Sequence, residues 1–424
     1  MRILWFTNTP SLAAEYLKLD YQGGGWISSL EKRISETGQI QLGVAFHHNC
    51  DQRQHFIINQ THYYAIPGSD AKTQAGRVLR RWKHAIEPAS VLSDYLDVVN
   101  EFKPDLVHVF GSEQAFGMIA DQLPVPLIIQ IQGNISVCAK KWYSGLSQSE
   151  IFRHSGYKPL LRAYGVWHDY YILLKKAERE KEIFRKCRFF IGRTDWDRRL
   201  TKALSDNGKY FHCDELLREP FHDIIWTGIG HEKYRLFSTL KPITYKGLET
   251  VLETAAILKK KNAVKFEWII AGVDYDDEII SIIEKVCRLK FPEQNIIFKG
   301  SLGPESLITS LMDSDCYVHP SHIENSVNSV CEAMLIGMPV IATSAGGTPS
   351  LLLDSKEGTL VQDGDPYALA GAIIEMAENP STASLLGRNA RKRALERHNP
   401  QKVISDLLGI YASVLSEKSD TRIR

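Results

Sequence analysis

Two carboxylates, Glu324 and Glu332, stand eight positions apart in the stretch from His319 to Ile341. An acidic, Asn/Ser-rich segment leaves an apolar strand, opens a helix, and closes on Gly337 and Pro339 before a second apolar run. That layout suits a sugar carried on a diphosphate. The free N–H groups and positive dipole end of a helix start attract phosphate. Carboxylates on either side of them accept hydrogen bonds from sugar hydroxyls. The bland alternative is a surface helix with two ordinary exposed acids.

The flanking pattern says which elements would hold these groups. Cys316 to Val318 is a short apolar run ended by Pro320 and reads as a strand. Val327, Val330, Cys331, Met334 and Leu335 recur at helical spacing and mark one buried face. Asn328 and Glu332 share the opposite stripe. Ser326 or Asn325 is the expected N-cap. Glu324 then lies on the loop, and Glu332 about two turns in, about 12 Å further along the axis if the whole stretch is helical.

On these residues the segment resembles the Glu-x7-Glu motif of the family 4 retaining glycosyltransferases, which have the GT-B fold. The resemblance implies that Glu324 contacts donor-sugar hydroxyls and Glu332 the ribose. Asn325, Ser326, Val327 and Asn328 then offer phosphate-binding backbone, in place of the Gly and Phe that often follow the first Glu. In Lys241-Pro-Ile-Thr-Tyr-Lys246-Gly247, two cations five apart on a loop can bridge a diphosphate and neutralise departing charge. Lys246-Gly247 matches the family pattern. Lys241 stands where the family has Arg, so a bidentate contact is lost.

Other candidates lie at expected strand ends, where ligands of open α/β sheets gather. Gly24 and Gly25, in a triple-glycine run before a helix, allow close backbone approach to a ligand. They are not a dinucleotide fingerprint, because Ser28 stands where G-x-G-x-x-G needs its third glycine. The resemblance places that loop facing donor and acceptor, and the loop of Gly346 and Gly347 near the donor sugar. His108 and Glu113 are candidate contacts to acceptor or donor hydroxyls, with a buried core histidine as the alternative for His108. Gln132 is the nearest match to a histidine that many relatives carry. Arg193 is a candidate phosphate contact, with a salt bridge to Asp195 or Glu215 as its alternative. Asp274-Tyr275-Asp276 formally matches a metal motif of another glycosyltransferase fold, but on its loop it reads as helix capping. The basic stretch Lys72 to His84 reads as a solvated helix face, with an anionic lipid or diphosphate-linked acceptor as the alternative.

Length and composition bound these readings. A chain of 424 residues, 44% hydrophobic and 24% charged, is an ordinary globular protein of about two domains. A net charge of +1 argues against nucleic acid as partner. Seven scattered cysteines without a CxxC argue for a reduced, cytoplasmic protein rather than a disulfide framework or zinc site. No apolar run is long enough to span a membrane, and the apolar start of the chain is too short for a signal segment.

Strands and helices alternate, which predicts an α/β architecture with mostly parallel sheets. The expected division is 1–225, 226–400 and a terminal helix and tail 401–424. The resemblance implies two Rossmann-like domains facing across a cleft, an acceptor side first and a nucleotide-sugar side second, with the terminal helix crossing back. It further implies a retaining, metal-independent hexosyltransferase without a cofactor. Its substrates would be a UDP- or GDP-sugar and a glycan or lipid-linked acceptor of surface polysaccharide biosynthesis. Peripheral contact at the inner face of the membrane belongs to the same expectation. Two other readings stand beside it: a nucleotide-sugar epimerase on a similar scaffold, and a non-catalytic nucleotide-sugar-binding module.

Overall fold

A computed structural model of the chain describes residues 1–19, 25–68, 73–228 and 230–421. The chain divides into two compact units. The first comprises Met1–Ser136, Ile172–Arg218 and Arg397–Arg424, and the second Val137–Tyr171 and Glu219–Glu396. The division therefore falls at 218/219 rather than 225, and Val137–Tyr171 goes with the second unit rather than the first. Its short helices, such as Gln148–His154, find their partners far along the chain. Gly145 lies against the Glu249 side chain, and the Lys285 ammonium donates to the His154 carbonyl at 3.4 Å. Helical periodicity does not report which body a short helix packs on.

The first unit is built on β1 (Arg2–Thr7), β2 (Gln41–His48), β3 (Gln54–Ile58), β4 (Thr61–Pro67), β5 (Leu106–Phe110), β6 (Leu127–Gln130), β7 (Phe189–Gly192) and β8 (Lys209–His212). Their order is β3-β4-β2-β1-β5-β6-β7-β8, parallel except for the β3–β4 hairpin. That hairpin is an addition to the strands expected from sequence. Asn59 and Gln60 turn it with positive φ at both positions (47° and 71°), as a two-residue hairpin loop requires. Both faces of the sheet's centre are covered, so β1, β5 and β6 are buried along almost their whole length rather than alternating, while β3 and β8 are exposed or half-buried. On β1, Ile3 and Trp5 join one core cluster, and Leu4 and Phe6 the other. The helix Pro400–Thr421 supplies Val403, Leu407, Tyr411 and Val414 to the first of these clusters.

The second unit carries β9 (Tyr234–Thr239), β10 (Phe266–Ala271), β11 (Ile296–Phe298), β12 (Cys316–His319), β13 (Val340–Thr343) and β14 (Thr359–Val361). Their order is β11-β10-β9-β12-β13-β14, with parallel pairing throughout. The chain reverses its direction of strand addition between β9 and β12. Loops leaving the carboxyl ends of those strands therefore meet at a topological switch point, where such sheets bind ligands.

Candidate functional site

The loop after β9 and the loop after β12 dock on each other, and this brings Lys246 to Glu324. Gly247 adopts φ +75° with no room for a side chain, since a Cβ there would strike the Pro320 carbonyl. The His322 N–H donates to the Tyr245 carbonyl at 2.9 Å. With the backbones so fixed, the Lys246 ammonium forms an ion pair with Glu324 Oε1 and also lies 5.5 Å from the Tyr245 ring centroid. His319 Nε2, on the last residue of β12, meets the same Oε1 at 3.0 Å. Burial alone would raise the Glu324 carboxyl. The Lys246 charge and the His319 hydrogen bond outweigh it and hold the group well below the usual carboxylate range. Glu324 is thus an ionised acceptor with limited exposure, 13% for its side chain.

A second pair of contacts fixes this loop from the other side. The Gly347 N–H donates to the Glu324 carbonyl at 2.9 Å, and Gly346, at φ +56°, has no room for a side chain, since a Cβ there would strike that carbonyl. The close approach expected of Gly346 and Gly347 is therefore to the glutamate's own backbone. His322 lies between Glu249 Oε1 at 2.5 Å and Asp363 Oδ2 at 3.4 Å, and Lys141 reaches the same Asp363 oxygen at 3.2 Å. Burial would lower the His322 pKa, but the two carboxylates raise it. His319, His322, Glu249, Asp363 and Lys141 were not singled out as site residues from sequence. His319 alone had a legible signal, its place at the end of a strand.

The helix after the loop runs Asn328–Ile336, with Val327 rather than Ser326 or Asn325 at its N-cap and no side-chain cap bond. It ends on Gly337 at φ +82°. Asn325 and Val327 are buried, and Ser326 and Asn328 half-buried. Residues Val330 through Ile336 are all buried, Glu332 included at 4% exposure, while Asn328 on the same stripe stays half-buried. Burial pushes the Tyr317 hydroxyl up to about 12, and the Glu332 charge adds to that rise. Lys241 is exposed after β9, and no described contact joins it to Glu324.

In the first unit most candidates serve the fold. Arg193 is 2% exposed, is ion-paired with Glu215, and donates to the carbonyls of Ile131 at 3.2 Å and Gln132 at 3.3 Å. This overturns its reading as a phosphate contact: the planar guanidinium is engaged by a buried carboxylate and two buried carbonyls. His108 is fully buried, meets the Tyr411 hydroxyl at 2.7 Å, and stacks on Phe110 at 4.1 Å. Burial lowers its pKa to about 3, so it is a neutral core histidine rather than a hydroxyl contact. The Gln132 carbonyl is a buttress for Arg193. Glu113, half-buried after β5, accepts from Asn8 Nδ2 at 3.1 Å, and burial raises its pKa. Gly24 lies outside the described residues. Gly25 opens the helix Gly25–Glu36, where a Cβ would lie 3.2 Å from Arg218 Cδ. Asp277 is the N-cap residue of the helix Glu278–Cys287, but its Oδ2 accepts from the Asp274 N–H at 2.8 Å, within the preceding loop, and not from the helix.

Two parallel α/β units, the second presenting a lysine–glutamate–histidine cluster at its switch point, have the architecture of a GT-B type fold. The whole chain superposes on sucrose-phosphate synthase from Thermosynechococcus elongatus with a TM-score of 0.71, covering 98% of this chain and 100% of that one at 15% identity. Residues 228–393 match the family model described as Glycosyl transferases group 1. A glycosyltransferase of Methanocaldococcus jannaschii, MJ1069, is 25% identical over 50% of this chain and 58% of its own length. The capsular polysaccharide biosynthesis glycosyltransferase CapM of Staphylococcus aureus is 30% identical over 50% of this chain and 54% of its own. The chain thus spans a little over half the length of these curated relatives. Among the described residues no helix is long and apolar enough to cross a membrane.

Proposed function

We propose that the protein is a retaining glycosyltransferase of surface polysaccharide biosynthesis, moving a hexose from a UDP- or GDP-sugar to a glycan or lipid-linked acceptor. The observation that carries this reading is the shared Glu324 oxygen, held by Lys246 and His319 at the switch point of the second unit. The ionised Glu324 accepts hydrogen bonds from donor-sugar hydroxyls. Lys246, already at that carboxylate, neutralises the diphosphate as its bond to the sugar breaks. The N–H groups opening helix Asn328–Ile336, with Asn325 to Asn328, hold phosphate oxygens. Glu332 takes the ribose hydroxyls, and Gly346 and Gly347 keep the Glu324 backbone in place.

In the transfer itself, the anomeric carbon loses its bond to the phosphate oxygen and gains one to the acceptor oxygen on the same face. The acceptor's proton passes to the departing phosphate. Neither a metal ion nor a cofactor is assigned to the reaction, since Lys246 and the helix N–H groups supply the positive potential. The first unit is the acceptor side, with Glu113 its remaining candidate contact and Gly25 a peripheral candidate for the donor, while Lys241, on the loop after β9 in the second unit, is a peripheral candidate for the diphosphate. Seven scattered cysteines fit a cytoplasmic enzyme, and contact with the inner face of the membrane belongs to a lipid-linked acceptor.

The test is a panel of UDP-, GDP- and ADP-sugars, scored by calorimetry for binding and by nucleotide release. Wild type should bind and slowly hydrolyse at least one, and Glu324→Ala should lose both. A chain that binds none of them sinks the reading. Acceptor-free inversion of a sugar centre would replace it with the epimerase.

A further inference from the structure

The first unit contains a cavity of about 440 Å³, within the size range of small-molecule clefts. It opens at the carboxyl ends of the strands: His47 is in β2, Gly68 follows β4, and Gln114 follows β5. Its wall is the helix Gln74–Trp82, which presents Arg77, Arg80 and Arg81, and Lys176 lines it from helix Val166–Lys186. The three arginines are spaced i, i+3 and i+4, so they share one helix face. Glu87 is the one lining carboxylate among the described residues, and it already holds Arg179 at 2.6 Å. His47 adds no charge at neutral pH. Its Nε2 meets the Tyr95 hydroxyl at 2.8 Å, and burial lowers its pKa.

Arg77, Arg80 and Lys176 bring three cationic groups to one cavity, and apolar packing does not explain it. Helix Gln74–Trp82 buries none of its residues, and Leu79 and Trp82 are exposed. Guanidiniums grouped on one face match the oxygens of phosphate, which they take up in forked pairs. A simple solvated face would put these charges outward rather than around a cleft at the strand ends.

We propose that this cavity binds the phosphate or pyrophosphate group of the acceptor, which makes the acceptor an organic phosphate rather than a neutral glycan. This rests on the transferase reading for the word acceptor, but the site itself does not. Arg77 and Lys176 hold the anion from two different helices, Arg80 is fixed by its bond to the Ile86 carbonyl at 3.2 Å, and Gln114 also lines the cavity.

The experiment titrates inorganic pyrophosphate, and separately UDP, into the full chain at low salt. Wild type should bind pyrophosphate, with affinity falling as salt rises. Arg77→Gln/Lys176→Gln should bind it at least tenfold more weakly, with UDP affinity unchanged. Equal pyrophosphate affinity in the variant, or displacement of pyrophosphate by UDP, overturns the site. So does binding to phosphatidylglycerol vesicles in the absence of pyrophosphate binding. Farnesyl pyrophosphate separates the two sources of the group: tighter binding than pyrophosphate assigns it to a lipid carrier, and equal binding to a phosphate on the glycan. Wild type that binds pyrophosphate but no nucleotide sugar would refute the transferase and leave the anion site standing.

Discussion

Each unit places a cation–carboxylate pair just beyond the end of a strand, yet the two pairs differ in what can reach them. Arg193 and Glu215, after β7 and β8, have side chains 2% and 1% exposed, and the guanidinium also serves the carbonyls of Ile131 and Gln132. Lys246 and Glu324, after β9 and β12, are 16% and 13% exposed, and the lysine has one carboxylate and one ring face as its described partners. A pair sealed from solvent is part of the fold, because an incoming ligand has no route to exchange with it. A pair left partly open, with few competing partners, can trade one contact for a substrate. Charge type alone does not separate the two, since Arg193 and Lys246 are both candidate phosphate ligands in the sequence.

The largest effect should come from breaking the sealed pair. Glu215→Ala leaves Arg193 buried without its carboxylate and should cost about 3–5 kcal/mol in urea unfolding. The double change Arg193→Met/Glu215→Leu should recover most of that loss. A small penalty for the single change would mean the pair is more open than its burial indicates.

Next comes the open pair. Glu324→Gln and Lys246→Ala should each reduce donor turnover about 10²–10³-fold, the size of losing one preorganised electrostatic contact. Their unfolding midpoints should stay nearer wild type than that of Glu215→Ala. Turnover near wild type in both would remove this cluster from the chemistry.

A smaller effect separates two buried histidines by the sign of their pH dependence. The His322 pKa is raised above its ordinary 6.5 by Glu249 and Asp363, so its stabilisation is full below pH 6.5 and fades as pH rises through the folded value. The stability gap between wild type and His322→Gln should therefore be widest below pH 6.5. His108 behaves in the opposite way. Its folded pKa is lowered to about 3, so wild type loses stability as pH falls from 6.5 toward 3. His108→Phe should lose less over that range, by at most about 1.4 kcal/mol per pH unit. Thermal melts between pH 3.5 and 8 read both slopes, and slopes of the same sign would break the contrast.

The smallest effect belongs to Lys241. Exposed and outside the Glu324 cluster, it should change donor turnover by no more than about threefold when replaced by Ala, as an exposed charge does. A tenfold loss would enlarge the site to include it.

Much of the fold was legible because its signals are local. Apolar runs bounded by Pro and Gly mark β1, β5, β6 and β12, and Pro400 announces the terminal helix. The hairpin β3–β4 escaped because Asn59-Gln60 lacks the glycine that usually marks such a turn. The segment Val137–Tyr171 went to the wrong body because its helices are short, and what they pack on is a matter of distant contacts. Within the candidate site, Glu324 and Lys246 are singled out in the sequence by residue type, spacing and the family resemblance. His319 was in view but without a role. Lys141, Glu249 and Asp363 were invisible, because they approach the loop from 183, 75 and 39 positions away (324 − 141, 324 − 249, 363 − 324).

The sequence by itself determined the periodicities, hence the two parallel sheets, and the chemical types available at their strand ends. Only the tertiary structure decided which polar groups were enclosed and which stayed open. Enclosure depends on residues brought together from separate parts of the chain. Arg193 became a core group because Glu215 and two carbonyls surround it. Glu324 became an ionised acceptor because Gly247 and Gly346 let two other backbones press its loop against Lys246 and His319.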